Sequence, residues 1–163
     1  HGSDDRIIWQ NGVFYPEAAQ SVALLWWTLP DVRQAALYIR TPLRIRRNGV
    51  LLDKVDFSTV VRNITRRVEA LTTRYGGRTD GAEAERLRAL ASMVAVTQSR
   101  LHVHELERYS NAQNTNMDFS GLMGVVRFDV EITPFVPWLY AAQVLHIGRN
   151  TTFGMGRVEF AFG

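Results

Sequence analysis

The sequence predicts an α+β fold, a ferredoxin-like sandwich in which helices pack on one face of an antiparallel sheet. Three observations lead to this prediction. Apolar residues alternate over 35–47, as expected of a strand, and helical periodicity follows from Asp56. The second half then contains an apolar strand-like run, a short apolar helical pattern and a final strand at 157–162.

The first predicted strand, 35–47, carries its arginines on one face. Side chains alternate along a strand, so one face has the apolar residues Leu37, Ile39, Leu43 and Ile45, and the other has Tyr38, Arg40, Arg44 and Arg46. Asn48-Gly49 follows as a turn signal. These arginines are therefore expected to share a surface.

A helix is predicted to begin after Asp56, a good N-cap residue. Its apolar stripe consists of Phe57, Val60, Val61, Ile64, Val68 and Leu71. Arg62, Arg66 and Arg74 lie away from this stripe. A solvated helix face is favoured for them over a binding role.

A second helical pattern runs from Ala82 to Glu107, after a glycine-rich break at 76–81. On a helix, His102 and His104 would point roughly 200° apart and could not bind one metal ion together. We interpret both as surface or packing histidines.

The last third begins with a polar loop or irregular edge at 110–116, before an apolar run at 119–132. Gly121 and Gly124 near the start of that run indicate a bulge or a close backbone approach. Thr133 and Pro134 then fit the start of a helix. The apolar face of that helix consists of Phe135, Trp138, Leu139, Ala142 and Leu145.

Residues 145–160 combine glycines with positive charge. Rossmann and Walker loops run from strand into helix, whereas a helix comes first here, and the glycine spacing is not that of a Walker loop. Glycine permits positive φ, which lets a loop fold tightly and point several N–H groups at an anion. A phosphodiester would suit such a loop, although glycines that merely turn the chain remain an alternative. The candidate contacts in this segment are Gly148, Arg149, Asn150, Thr151, Thr152, Gly154, Gly156 and Arg157.

Composition narrows the possible classes of protein. The net charge is +3, and the basic residues comprise one lysine and eighteen arginines. Arginine binds phosphate through two parallel hydrogen bonds and stacks on bases. The absence of cysteine excludes disulfides and thiolate metal sites, and the histidines lack a convincing metal-ligand spacing. The apolar runs are too short to span a membrane. These features predict a cytoplasmic domain without metal or cofactor.

Three segments are expected along the chain. His1-Gly2-Ser3 is typical of a purification-tag remnant. Residues 4–34 are dense in apolar and aromatic side chains and are interpreted as the end of a preceding domain or a junction. Residues 35–163 form the ferredoxin-like domain. A complete small protein with an N-terminal hairpin is the alternative.

An ordered set of short motifs resembles the C-terminal half of the CRISPR-associated endoribonucleases that process precursor CRISPR RNA, the glycine-rich-loop RAMP-type proteins. The motifs are Tyr109-Ser110-Asn111-Ala112-Gln113, the segment 117–124, Pro134-Phe135-Val136-Pro137-Trp138-Leu139, and the loop from His146 to Arg157. The resemblance continues more weakly upstream through 40–45.

The resemblance implies metal-independent cleavage, in which a ribose 2′-hydroxyl attacks the adjacent phosphate. In the family the catalytic histidine usually belongs to the N-terminal domain, so the catalytic residues here are unknown, with His146 a weak candidate. The implied partners are CRISPR repeat RNA and other CRISPR effector subunits, with RNA contacts from Arg44, Arg46, Arg47 and the glycine loop. The alternatives are a non-catalytic RNA-binding CRISPR subunit, or a ligand-binding or oligomerising ferredoxin-like module.

Overall fold

The computed structural model describes residues 9–16, 29–110 and 115–163. The strands are β1 (Trp9–Gln10), β2 (Val13–Phe14), β3 (Gln34–Leu43), β4 (Arg46–Arg47), β5 (Val50–Leu51), β6 (Val96–His104), β7 (Glu107–Ser110), β8 (Thr115–Asp118), β9 (Gly121–Asp129) and β10 (Val158–Phe162). The helices are α1 (Phe57–Tyr75), α2 (Gly81–Ala91) and α3 (Val136–Leu145). The proposed tag remnant and most of the proposed junction lie outside the described residues.

Four strands form one antiparallel sheet in the order β10-β3-β9-β6. Ile39 of β3 lies opposite Val158 of β10 on one side and opposite Gly124 of β9 on the other. With helices following the first and third strands of this sheet, the connectivity is that of a ferredoxin-like domain. The predicted fold class is confirmed, as is the shared sheet of the first and last strands.

The core lies between this sheet and its helices. The Phe57 ring packs edge-on against Phe128 of β9 and against Phe135 before α3, with ring centroids 4.9 Å apart in both pairs. Trp138 and Leu139 of α3 are buried in the same core. The predicted apolar faces of α1 and α3 are therefore confirmed.

The two predicted helix starts have different outcomes. Asp56 caps α1, since its carboxylate accepts a hydrogen bond from the Thr59 amide at 2.6 Å. The capping role predicted for Thr133 is wrong. Thr133 is the first residue of a 3-10 turn, and its hydroxyl oxygen accepts the Val32 amide at 2.9 Å instead.

The predicted second helix is too long. α2 ends at Ala91, and β6 follows as an edge strand of the sheet. Both faces of β6 are largely exposed, so the alternation that identifies a strand is missing from its sequence. His102 and His104 consequently point to the same side of a strand rather than to opposite sides of a helix, and both are exposed.

The predicted strand 35–47 is also interrupted. A bulge between Ile39 and Leu43 shifts its register against β9, and β3 ends at Leu43. Arg46 and Arg47 instead form a separate hairpin with β5. Its turn is the predicted Asn48-Gly49, with φ of 52° and 82°.

Two smaller hairpins complete the described chain. β1 pairs with β2, and β7 pairs with β8. The segment 110–116, predicted as a loop or irregular edge, contributes residues to both β7 and β8, and its centre lies outside the described residues.

Candidate nucleic-acid interface

The glycine-rich loop leaves α3 with a positive φ at His146 and returns repeatedly to positive φ. His146, Gly148, Asn150, Gly154 and Gly156 have φ of 59°, 83°, 61°, 80° and 68°. A 3-10 turn over Thr151–Phe153 lies between them. The loop therefore folds back on itself before it enters β10, as the sequence predicts.

Two of the loop glycines are required by close packing. A Cβ atom on Gly148 would lie 2.6 Å from the Arg44 carbonyl oxygen, and one on Gly156 would lie 1.8 Å from that of Ile147. Gly154 differs, because a Cβ atom there would meet nothing within 4 Å. Packing thus explains Gly148 and Gly156, whereas only its backbone conformation explains Gly154.

Some amide groups of the loop form hydrogen bonds within the domain, and others do not. The amides of Arg149 and Gly156 donate to the carbonyls of Arg44 and Pro42, at 2.8 and 3.1 Å. Within the described parts of the chain, no acceptor is found for the amides of Gly148, Asn150, Thr151 and Thr152. These four N–H groups are the loop's available donors for an anion.

A groove beside the loop concentrates arginine. It encloses about 480 Å³ and is formed by residues 44–48, by α1 and by the start of the glycine loop. We call it the arginine groove; its lining residues are Arg44, Ile45, Arg46, Arg47, Asn48, Thr59, Arg62, Asn63, Arg66, Gly148 and Arg149. Among the residues that the structure describes, no aspartate or glutamate lines it.

The arginine groove contains several of the arginines that the sequence predicts as RNA contacts, together with two others. It brings Arg46 and Arg47 from the β4–β5 hairpin next to Arg149 from the glycine loop, as expected of a common surface. Arg62 and Arg66, interpreted from sequence as a solvated face, also line it. The clue to their role was their spacing, since positions four residues apart lie on one helix face.

Arg44 departs from its predicted role. Its side chain is buried rather than exposed, with 6% of its surface accessible. The guanidinium donates to the Ser120 carbonyl oxygen and to the Asp118 carboxylate, the latter at 3.0 Å. Arg44 follows the last residue of β3, just beyond the irregular pairing between Ile39 and Leu43, and its side chain is buried there. Arg44 is therefore not a free phosphate-binding group.

Arg157 is separated from the arginine groove. Its exposed guanidinium pairs with Glu159 at 3.2 Å, and Arg40 pairs with the same carboxylate at 2.7 Å. Although Arg157 follows Gly156 directly, it does not line the groove. Of the four arginines Arg44, Arg46, Arg149 and Arg157 that the sequence predicts as RNA contacts, only Arg46 and Arg149 are exposed in the groove lining.

His146 is placed to orient the loop. It ends α3 with positive φ, and its Nδ1 lies 3.3 Å from the Met155 carbonyl oxygen across the loop. If Nδ1 carries the proton, Nε2 remains as an acceptor. Within the described ranges, no set of three or more histidine and acidic side chains could hold a metal ion.

The fold and the site place this chain in the class of ferredoxin-like α+β domains that carry an arginine groove beside a glycine-rich loop. The family model "CRISPR-associated endoribonuclease Cas6" matches residues 37–158. The chain therefore belongs to the Cas6 family. A search of the curated proteins finds no match.

Solved structures show the same fold. Thermus thermophilus Cas6 (TTHB231) is 16% identical with a TM-score of 0.62, over 81% of this chain and 55% of that one. The Cas6 (TTHB231) product complex is 15% identical with a TM-score of 0.65, over 86% and 56%. The Cas6 (TTHA0078) product complex is 21% identical with a TM-score of 0.55, over 81% and 52%. This chain thus spans about half the length of these Cas6 proteins.

Proposed function

We propose that this chain is the C-terminal RNA-binding domain of a CRISPR repeat-RNA processing endoribonuclease. In this proposal the arginine groove and the available amides of the glycine loop bind the phosphodiester backbone of the repeat RNA. The observation that carries the proposal is the composition of the groove. It gathers arginines from three separate segments and no carboxylate from the described chain.

Electrostatics supports this reading of the groove. Arg62 and Arg66 lie one turn apart on α1, a spacing at which like charges destabilise a helix. Within the described part of the chain, no ion pair is formed by Arg46, Arg62, Arg66 or Arg149, and all four are exposed. A bound polyanion would offset the mutual repulsion of these arginines, and counterions would be released from the polyanion when its phosphates are neutralised.

The groove also offers neutral donors. Asn48 and Asn63 line it, and the Arg47 guanidinium is held at 3.0 Å from the Thr59 hydroxyl. Fixing one arginine in this way reduces the entropy lost when it binds phosphate. Gly148 continues the lining into the glycine loop, whose available amides suit a phosphate oxygen.

Cleavage is proposed for the whole enzyme rather than for this chain alone. Attack by a 2′-hydroxyl needs a base, an acid and donors around the phosphorane. The groove arginines and the loop amides supply donors for the phosphorane, and His146 is a weak candidate for the base or acid. We expect the purified chain to bind repeat RNA without efficient cleavage. Rapid cleavage in EDTA that is lost in His146→Ala would instead assign the catalytic role to His146.

The proposed partners follow from the family. Repeat RNA is the first, and other CRISPR proteins are the second. One similar structure, 12% identical with a TM-score of 0.58, is described as a Cas6-RT-Cas1–Cas2 complex. We propose a cytoplasmic location. In the described parts of the chain, no helix is long and apolar enough to cross a bilayer.

The binding proposal is tested by removing two groove charges together. Arg62→Gln with Arg66→Gln should weaken binding of repeat RNA. It should also flatten the plot of log affinity against log salt by about 0.7 to 0.9 for each lost phosphate contact. The matched control is Arg74→Gln with Arg86→Gln, which removes two exposed arginines outside the groove lining. Equal losses in both double variants would show non-specific electrostatic attraction and would refute the groove as the site.

A further inference from the structure

We infer that Arg44 is a positioning residue, which holds the glycine loop and the β7–β8 hairpin in a fixed relation without contacting RNA. This inference rests on the proposed function, because it assigns a role within the same RNA-binding site. It replaces the direct phosphate contact that the sequence predicts for Arg44.

The Arg44 side chain holds the base of the hairpin. Its guanidinium donates to the Ser120 carbonyl and to the Asp118 carboxylate. The other carboxylate oxygen of Asp118 accepts the Ser120 amide at 2.7 Å. The Ser120 hydroxyl in turn accepts the Leu106 amide, at 3.0 Å, before the first strand of the hairpin. The guanidinium is thus bonded directly to the C-terminal end of the hairpin and is linked to its N-terminal end through Ser120.

The Arg44 backbone holds the glycine loop. Its carbonyl oxygen accepts a hydrogen bond from the Arg149 amide at 2.8 Å. Arg149 is the charged loop residue that lines the arginine groove. Gly148 packs against that same carbonyl, and Gly121 at the start of β9 packs against the Arg44 Cγ. A Cβ atom on Gly148 would lie 2.6 Å from the Arg44 carbonyl oxygen, and one on Gly121 would lie 2.8 Å from the Leu43 carbonyl oxygen and 3.0 Å from the Arg44 Cγ. The loop, the hairpin base and β9 therefore meet at one residue.

Charge also separates Arg44 from the other groove arginines. Asp118 neutralises its guanidinium, whose buried position leaves little surface for phosphate. Arg44 thus contributes little net charge to RNA attraction, while its contacts fix where Arg149 stands. A residue of this kind affects affinity through geometry rather than through counterion release.

Asp118→Asn separates the two roles by the sign of its effect. It removes a negative charge, so an electrostatic effect alone would tighten RNA binding. A positioning role predicts the opposite, binding weakened by about fivefold because the charge-assisted bond to Arg44 is lost. The salt slope should stay that of the wild-type chain. Asp53→Asn, which removes an exposed carboxylate away from this contact, is the control and should not weaken binding.

Amide hydrogen exchange supplies a readout without RNA. If Arg44 couples the two elements, Asp118→Asn should speed exchange at the Arg149 amide, which bonds to the Arg44 carbonyl. Arg44→Lys keeps the charge but not the two-pronged geometry, and should show the same pattern. Circular dichroism of each variant is the control that tests whether it is folded.

The outcomes distinguish the two proposals. Weaker binding at an unchanged salt slope, with faster exchange at Arg149, supports the positioning role. Binding by Asp118→Asn as tight as wild type or tighter overturns it, as does a flatter salt slope in Arg44→Lys. If the wild-type chain fails to bind repeat RNA, the proposed function is wrong. The positioning role of Arg44 is then tested by hydrogen exchange at the Arg149 amide alone. Wild-type exchange in both variants would then overturn the coupling.

Discussion

Gly156 lies so close to Ile147 that a Cβ atom on the glycine would stand 1.8 Å from the Ile147 carbonyl oxygen. The two residues also share a hydrogen bond, from the Ile147 amide to the Gly156 carbonyl at 3.0 Å. This contact joins residues near the two ends of the glycine loop, between the end of α3 and the start of β10.

Gly156→Ala should distort the loop and lower the stability of the domain, since backbone atoms would have to move to admit the methyl group. Gly154→Ala has room for its side chain and should cost only about 1 kcal/mol, for a left-handed conformation that alanine disfavours. Thermal unfolding of both variants measures the difference. Equal losses would show that backbone conformation alone explains the glycines.

Thr41 joins the bulge of β3 to the glycine loop. Its hydroxyl donates to the Gly154 carbonyl at 2.8 Å and accepts the Arg157 amide at 2.9 Å. Thr41→Val keeps the shape but loses both bonds, and should lower the free energy of unfolding by about 1 to 2 kcal/mol. Thr41→Ser keeps the hydroxyl and is the control in urea unfolding. A valine variant as stable as wild type would mean that the two bonds add no net stability.

Arg149 and Arg157 flank the glycine loop but should differ in RNA binding. Arg149 lines the arginine groove, so Arg149→Ala should lose about 1 kcal/mol of binding free energy through a charge-assisted contact. Arg157 pairs with Glu159 outside the groove, and Arg157→Ala should lose clearly less. Titration of repeat RNA at fixed salt compares them. A larger loss in Arg157→Ala would place the RNA on the opposite side of the loop.

Acid should weaken the Arg44–Asp118 link. The Arg44 guanidinium, followed by the hydroxyl and amide of Ser120, holds the pKa of Asp118 well below its ordinary range. Below an unfolded-state pKa of about 4 the unfolded chain binds the proton first, so the stability from this pair is present above that pH and is lost as pH falls.

The pair is followed by comparing wild type with Asp118→Asn in urea at several pH values. The difference in unfolding free energy should stay constant near neutral pH and shrink below about pH 4. Because the Asp118 side chain is 56% exposed, solvent screening keeps the difference small. A difference that widens on acidification would contradict the assigned ion pair.

The sequence predicts β3, α1, β9, α3 and β10 in that order, the turn at Asn48-Gly49 and the apolar faces of α1 and α3, because each depends on local periodicity or turn chemistry. It does not predict β6. β6 pairs with another strand along one edge only, and both of its faces are exposed. Its sequence therefore lacks the alternation of apolar and polar residues that identifies a half-buried strand. Pairing with β9, 17 or more positions away along the chain in every matched residue pair, determines it instead.

The candidate site has a similar limit. Arginine usage and the glycine loop predict a phosphate-binding surface, and Arg46 and Arg149 do meet. Arg44 is buried just beyond β3, where the register between β3 and β9 becomes irregular, and a single sequence does not display that register. Arg62 and Arg66 join the groove only because the β4–β5 hairpin folds beside α1.

The most direct test of the central claim is to record arginine Nε–Hε signals by NMR while repeat RNA is added to the chain. The account predicts that the signals of Arg46, Arg62, Arg66 and Arg149 shift, while that of Arg86 on α2 does not. Shifts confined to Arg100 and Arg127 on the sheet, with the groove signals unchanged, would contradict the arginine groove as the RNA-binding site.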